Sequence, residues 1–220
     1  MRMLLVLALL AGSLVTLPAA PHAAADPETC PPTCDRIPDT AWIPPWDIPL
    51  NSKYTWPPLQ AVAVTATQPR FRFEDLCGTA PLQQDPRSYA VAERATVANP
   101  EAQWQLQAQI FHWRGETWRG GQLAQNVFDT AVAALRACQR TAPESSPSLT
   151  VDKLGEAAAV ISGPTILHEY LVANPDNSTV TELALWSTAP PLTPWPALTD
   201  TTVLDALAAP LCAAYLGSCP

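Results

Sequence analysis

In the stretch AQWQLQAQIFHW, Trp104, Leu106, Ala108, Ile110 and His112 alternate with Gln103, Gln105, Gln107 and Gln109. A period of two belongs to a strand, and this one predicts a buried apolar face and a wet amide face. The preceding SYAVAERATVA alternates more weakly, and NPEA between them supplies a turn with Pro100 in a favoured position, so the two runs predict an antiparallel hairpin. A different rhythm follows. In QLAQNVFDTAVAALRACQ, Leu123, Val127, Ala131, Leu135 and Cys138 recur at helical spacing along one stripe. LTVDKLG and AAAVIS then read as short strands, and TILHEYLVANPDNSTVTELALWST as a second hairpin around NPDN. The first strand of that hairpin is apolar on both faces, which predicts a central position. DTTVLDALAAPLCAAYLG closes the chain as a helix, with Thr202 and Asp205 forming a capping-box-like start and Pro210 expected to kink or split it.

Upstream of these elements the chain changes character. Residues 26–58 are dominated by proline and carry Trp42, Trp46 and Trp56. Proline removes backbone donors and fixes an extended geometry, so the stretch predicts an arm and no regular element. Its tryptophans either pin the arm across a folded domain or form a recognition surface for a protein partner. Burial is the favoured alternative, because a large ring left in water forgoes a few kcal/mol. Residues 59–220 then form one domain, and the whole predicts an α+β fold: a twisted antiparallel sheet flanked by helices, disulfide-stapled, with a proline-rich N-terminal arm.

Residues 1–25 have the form of a secretory signal peptide, with Arg2 ahead of an apolar run and Ala23-Ala24-Ala25 as the cleavage site. Ser13 stands where a lipoprotein signal would need cysteine, so the expected product is secreted and extracytoplasmic, with no membrane anchor after cleavage. The chain has 12 Lys and Arg against 20 Asp and Glu, a net charge of −8. Such a surface repels phosphate backbones and argues against nucleic-acid binding. An unknown small molecule or an envelope protein remains as partner.

All six cysteines, Cys30, Cys34, Cys77, Cys138, Cys212 and Cys219, follow the leader. An even count in an exported chain predicts three disulfides, although six cysteines allow fifteen connectivities. Local and helix-anchoring pairs are preferred: Cys212 with Cys219 across the turn at Gly217, Cys77 with Cys138 on the helical stripe, and Cys30 with Cys34 by elimination. CPPTC has three residues between its thiols and lacks a nearby cation, so it reads as a staple and not a redox centre.

Candidate chemistry is sparse. His112 and His168 are the histidines left after the leader, and neither sits in a metal-ligand pattern, so no metal or cofactor is expected. ISGPT has Val160 where a nucleophile elbow needs glycine. NST at residues 177–179 is a glycosylation sequon lying in a turn that favours those residues anyway. The richest cluster is FHWRGETWRGG, where Trp113, Arg114 and Trp118 could hold an acidic or sugar-bearing ligand through cation–π and bidentate contacts.

The order of arm, antiparallel sheet, NVFDTAVAALRAC helix and two-cysteine C-terminal segment resembles the exported mycobacterial domains related to the extracellular sensor of the serine/threonine kinase PknH. That resemblance covers roughly residues 77–219 and implies a disulfide-stapled α+β domain with a groove for an unidentified ligand. The expected function is non-catalytic ligand or partner binding outside the membrane, with Trp113, Arg114, Trp118 and Tyr170 as candidate ligand-binding residues. Two alternatives stand beside it: a cell-envelope hydrolase using His112 or His168, and a protein-interaction module working through the Pro/Trp arm.

Overall fold

The computed structural model describes residues 29–219. The predicted leader and the first three residues of the arm lie outside the described residues. Two short elements, α1 (Asn51–Tyr54) and β1 (Val64–Thr65), lead to α2 (Arg72–Leu76) and then to the hairpin β2 (Val91–Val97) and β3 (Gln105–His112). The long helix α3 (Thr117–Thr141) follows, then β4 (Ser146–Lys153), β5 (Glu156–Ser162), β6 (Thr165–Asn174), β7 (Thr179–Thr188) and α4 (Asp200–Ala214). One seven-stranded antiparallel sheet runs in the order β1-β2-β3-β7-β6-β5-β4. The doubly apolar β6 is interior, as its pattern predicts.

Both faces of the sheet are covered, which corrects the expectation of a wet amide face on β3. Leu106, Ala108 and Ile110 face a core shared with Leu183, Leu185, Tyr170, Leu204 and Leu211. Phe111, Leu167, Leu171 and Ala184 face the opposite core, built with Val127, Phe128 and Leu135 of α3 and with Phe71 and Phe73 at α2. Gln107 and Gln109 lie on this second face and are buried. Period-two patterning gives the side on which a residue lies, while burial of the polar side was decided by helices elsewhere in the chain.

The arm is one of the covering layers. Trp42, Ile43, Ile48, Leu50 and Trp56 belong to the same core as α4, and burial of such side chains stabilises the fold by roughly 1.5–3 kcal/mol each. The Trp56 indole donates to the Pro49 carbonyl at 2.8 Å. The boundary at residue 58 is thus one of composition and not of packing.

Two helices depart from expectation at their ends. The first turns of α3 take in Thr117, Trp118, Gly120 and Gly121, which read in sequence as loop. The glycines belong there because the β6–β7 turn presses against them: a Cβ on Gly120 would stand 2.4 Å from the Ser178 hydroxyl and one on Gly121 2.5 Å from the Pro175 carbonyl. α4 starts at Asp200, with the Thr199 side chain accepting from the Thr202 N–H, and it continues through Pro210 without splitting.

The three disulfides join Cys30 to Cys34, Cys77 to Cys138 and Cys212 to Cys219. The second ties the end of α2 to the last turns of α3, and all three mark a protein of an oxidising, extracytoplasmic compartment. No helix among the described residues is long and apolar enough to cross a membrane.

Candidate functional site

Three segments meet beside the start of α3. The first is α3 itself, brought against the β6–β7 turn by Gly120 and Gly121. The second is that turn, Pro175–Asn177, where the Asn174 side chain accepts from the Asp176 N–H at 3.1 Å. The third is the tail after α4, closed by Cys212–Cys219. The Asn177 side-chain amide donates to Ser218 at 3.4 Å, and the Ser218 hydroxyl donates to the Tyr215 carbonyl at 2.6 Å, so turn and tail are held together. Between them opens a groove of about 820 Å³ whose lining includes Trp118, Gln122, Gln125 and Asp176.

Trp118 is 58% exposed at the rim of this groove. Its indole N–H donates to the Glu116 carboxylate at 3.1 Å, and the Arg119 guanidinium stacks over the ring at 4.9 Å. The ring is oriented before any ligand arrives, which limits the entropy lost on binding.

The other candidate residues are not brought to it. Trp113 is buried beside Phe111, with its indole donating to the Pro86 carbonyl at 3.0 Å. Arg114 is exposed on the loop before α3 and does not line the groove. Tyr170 lies on the opposite face of the sheet, buried, and donates to Asp200 at 2.7 Å. Of the four, Trp118 alone lines a groove described here. The sequon is closed, since Asn177 is fully buried with its amide engaged by Ser218.

Neither histidine lines a groove described here. One ring nitrogen of His112 is 3.1 Å from the Asn177 carbonyl and the other 2.7 Å from the Cys34 carbonyl, while the ring stacks on Tyr215. Burial lowers its pKa, against the opposing pull of the two carbonyls. His168 stacks on Trp195 at 3.6 Å, and burial lowers its pKa to about 4. Ser162 is exposed at the end of β5. Among the described residues no cluster of three or more His, Cys, Asp or Glu could hold a metal ion.

Sequence reasoning passed over two features. One is the row of neutral polar side chains on α3, Gln122 and Gln125, which carry no signal of their own. The other is a pair of buried acids between the sheet and the α2–α3 layer. Glu182 lies opposite Gln109 on β3 and Leu171 on β6, and Glu169 lies opposite Ala184 and Ala159. Both glutamates are fully buried. Glu182 accepts from the Arg72 backbone N–H at 2.5 Å and from the Gln107 and Gln109 amides at 3.0 and 2.5 Å. Glu169 has no donor on either oxygen. Its neighbour is the Glu182 carboxyl, also an acceptor, so a bond between them forms only when one is protonated. Burial first, and then Glu182, push the Glu169 pKa well above the ordinary carboxylate range. Burial raises Glu182 too, against the hydrogen bonds it accepts. A glutamate flanked by His168 and Tyr170 inside an otherwise apolar strand was the available hint.

A second charged cluster stands near the acids. Arg87 is buried, and its guanidinium reaches Glu74 at 2.6 and 3.0 Å and Asp85 at 2.6 Å. Burial pulls its pKa down, but the bonds to Asp85 and Glu74 prevail and hold it charged. The cleft beside it encloses only about 40 Å³, room for a few waters.

No protein-family model, no curated protein and no solved structure matches this chain.

Proposed function

We propose that this is an exported, non-catalytic binding protein whose ligand seats in the groove between the start of α3, the β6–β7 turn and the disulfide-closed tail. The observation that supports this best is the exposed, pre-oriented indole of Trp118 beside a turn and a tail that are hydrogen-bonded to one another, the tail being tied back to α4 by a disulfide. An aromatic face with a few fixed polar groups around it is the usual make-up of a ligand site. The resemblance to extracellular sensor domains points the same way, since it implies a groove for a ligand. The hydrolase alternative lacks geometry to support it: both nitrogens of His112 face carbonyl oxygens, and the His168 ring is covered by Trp195. For the arm alternative, Trp42 and Trp56 are packed in the core and only Trp46 is exposed, so no shared aromatic patch forms.

Native mass spectrometry of the protein purified from its own host tests the proposal. The expected result is a bound adduct on the wild-type protein that is missing from Trp118→Ala, with three disulfides in both. An adduct that survives the substitution, or no adduct on the wild type, overturns it.

A further inference from the structure

The lining of the groove narrows the chemistry of its occupant. Besides Trp118, its polar groups are the Gln122 and Gln125 amides, the Thr117 and Ser218 hydroxyls and the Asp176 carboxylate. No lysine or arginine lines it. The Arg119 guanidinium over Trp118 is already paired with the Glu116 carboxylate at 3.6 Å, so an anionic ligand would meet Asp176 and Glu116 on a protein that is already strongly acidic. A lipid tail would need continuous apolar walls, and amides and hydroxyls interrupt these. A sugar ring has what the groove offers to match: an apolar C–H face that lies against an indole, and a rim of hydroxyls that both donate to carboxylates and accept from amides.

The site also has length. Gln122 and Gln125 line a second, shallower depression of about 370 Å³ that continues along α3 to Asn126, Asp129 and Thr130. The two depressions share those glutamines, so a strip of helix from Trp118 to Thr130, roughly 18 Å at 1.5 Å per residue, presents polar side chains in series, neutral except for Asp129. These are partly fixed in advance: the Gln125 amide donates to Asp129 at 2.9 Å and the Thr130 hydroxyl to Asn126 at 3.4 Å. Each pair keeps a free acceptor or donor for a ligand hydroxyl. No cation lines this depression either.

We infer that the groove and the strip beyond it bind an uncharged oligosaccharide, with one ring stacked on Trp118 and following rings laid along the amides of α3. This rests on the proposal that the groove is the ligand site and adds the class of ligand.

A printed array of neutral and acidic oligosaccharides, probed with the disulfide-bonded wild-type protein, tests it. Neutral chains of several rings should bind, and their single-ring counterparts more weakly. Trp118→Ala should weaken binding by roughly tenfold or more, the loss expected for an aromatic anchor, and Gln122→Ala should weaken it less. Trp46→Ala, which removes an exposed tryptophan on the arm, should bind as the wild type does. All three substituted residues are exposed, and equal melting temperatures show that the fold is unchanged. A preference for acidic glycans, or neutral-glycan binding indifferent to Trp118, refutes the inference. If the array is blank while the host-purified protein carries a non-carbohydrate adduct that Trp118→Ala abolishes, the groove stands as the site and the sugar assignment fails. If both the array and the mass spectrum are blank, both fail.

Discussion

Replacing Glu169 with glutamine should stabilise this protein at neutral pH and leave it unchanged in acid. The side chain is fully buried, no donor reaches either oxygen, and a second buried carboxyl faces it. Burial and that neighbour raise its pKa above 4.5, so the folded state holds a proton that the unfolded chain releases. The stability contributed by the protonated pair is therefore fully present below about pH 4.5 and is lost as pH rises through the raised folded value. Glutamine has the same shape, carries no charge and offers Glu182 an N–H in place of an acid proton. Relief of one unsatisfied buried polar group is worth about 1–3 kcal/mol, which for a domain of this size shifts the melting temperature by about 2–12 °C. Melting curves of wild type and Glu169→Gln between pH 4 and 8 measure it. His112 and His168, whose lowered values favour the neutral ring in the fold, contribute stability that is lost as pH falls below about 6.5. They act equally in both proteins, so the difference between the curves isolates the acid pair. A variant that melts lower than wild type at pH 7.5, or a difference independent of pH, refutes the reasoning.

Removal of the Cys77–Cys138 bridge, which spans 61 residues, by Cys77→Ala with Cys138→Ala should cost about 4 kcal/mol through the entropy of the unfolded chain. The loss in a denaturant melt should exceed that for removing Cys212–Cys219, which spans 7, and equal losses would show that loop length does not govern these bridges. Arg87→Met strands the Glu74 and Asp85 carboxylates and should destabilise by about 3–5 kcal/mol; adding Glu74→Gln should recover part of that loss in the same melt, and no recovery would contradict the pairing. The His168 ring, with its pKa near 4, should stay neutral at pH 5 in an NMR titration, whereas a midpoint near 6.5 would mean that the stack on Trp195 does not bury it.

Much of the fold was legible because it follows from local periodicity. The alternation at 102–113, the helical stripe ending at Cys138 and the NPDN turn each specify an element from within a dozen residues. The strand order did not follow from them. β3 pairs with β7 across more than sixty residues, and that pairing brings Gln109 against Glu182 and encloses the amides once expected to be wet. The start of α3 was missed for a related reason: two glycines weaken a helix in isolation, and here the close approach of Pro175 and Ser178 requires them. The candidate site was half legible. An aromatic-rich loop drew attention to Trp118, but burial of Trp113 and the opposite facing of Tyr170 depend on which sheet face each strand parity meets. The turn and tail that complete the groove are distant in sequence and carry no motif.

The most direct test of the groove is ¹⁹F NMR of protein labelled with fluorotryptophan, with Trp118 assigned through Trp118→Phe and Trp46 through Trp46→Phe. On addition of the soluble polysaccharide fraction of the host envelope, the Trp118 resonance should move while that of Trp46 stays in place. A fixed Trp118 signal with a displaced Trp46, or no change at either, would contradict the account.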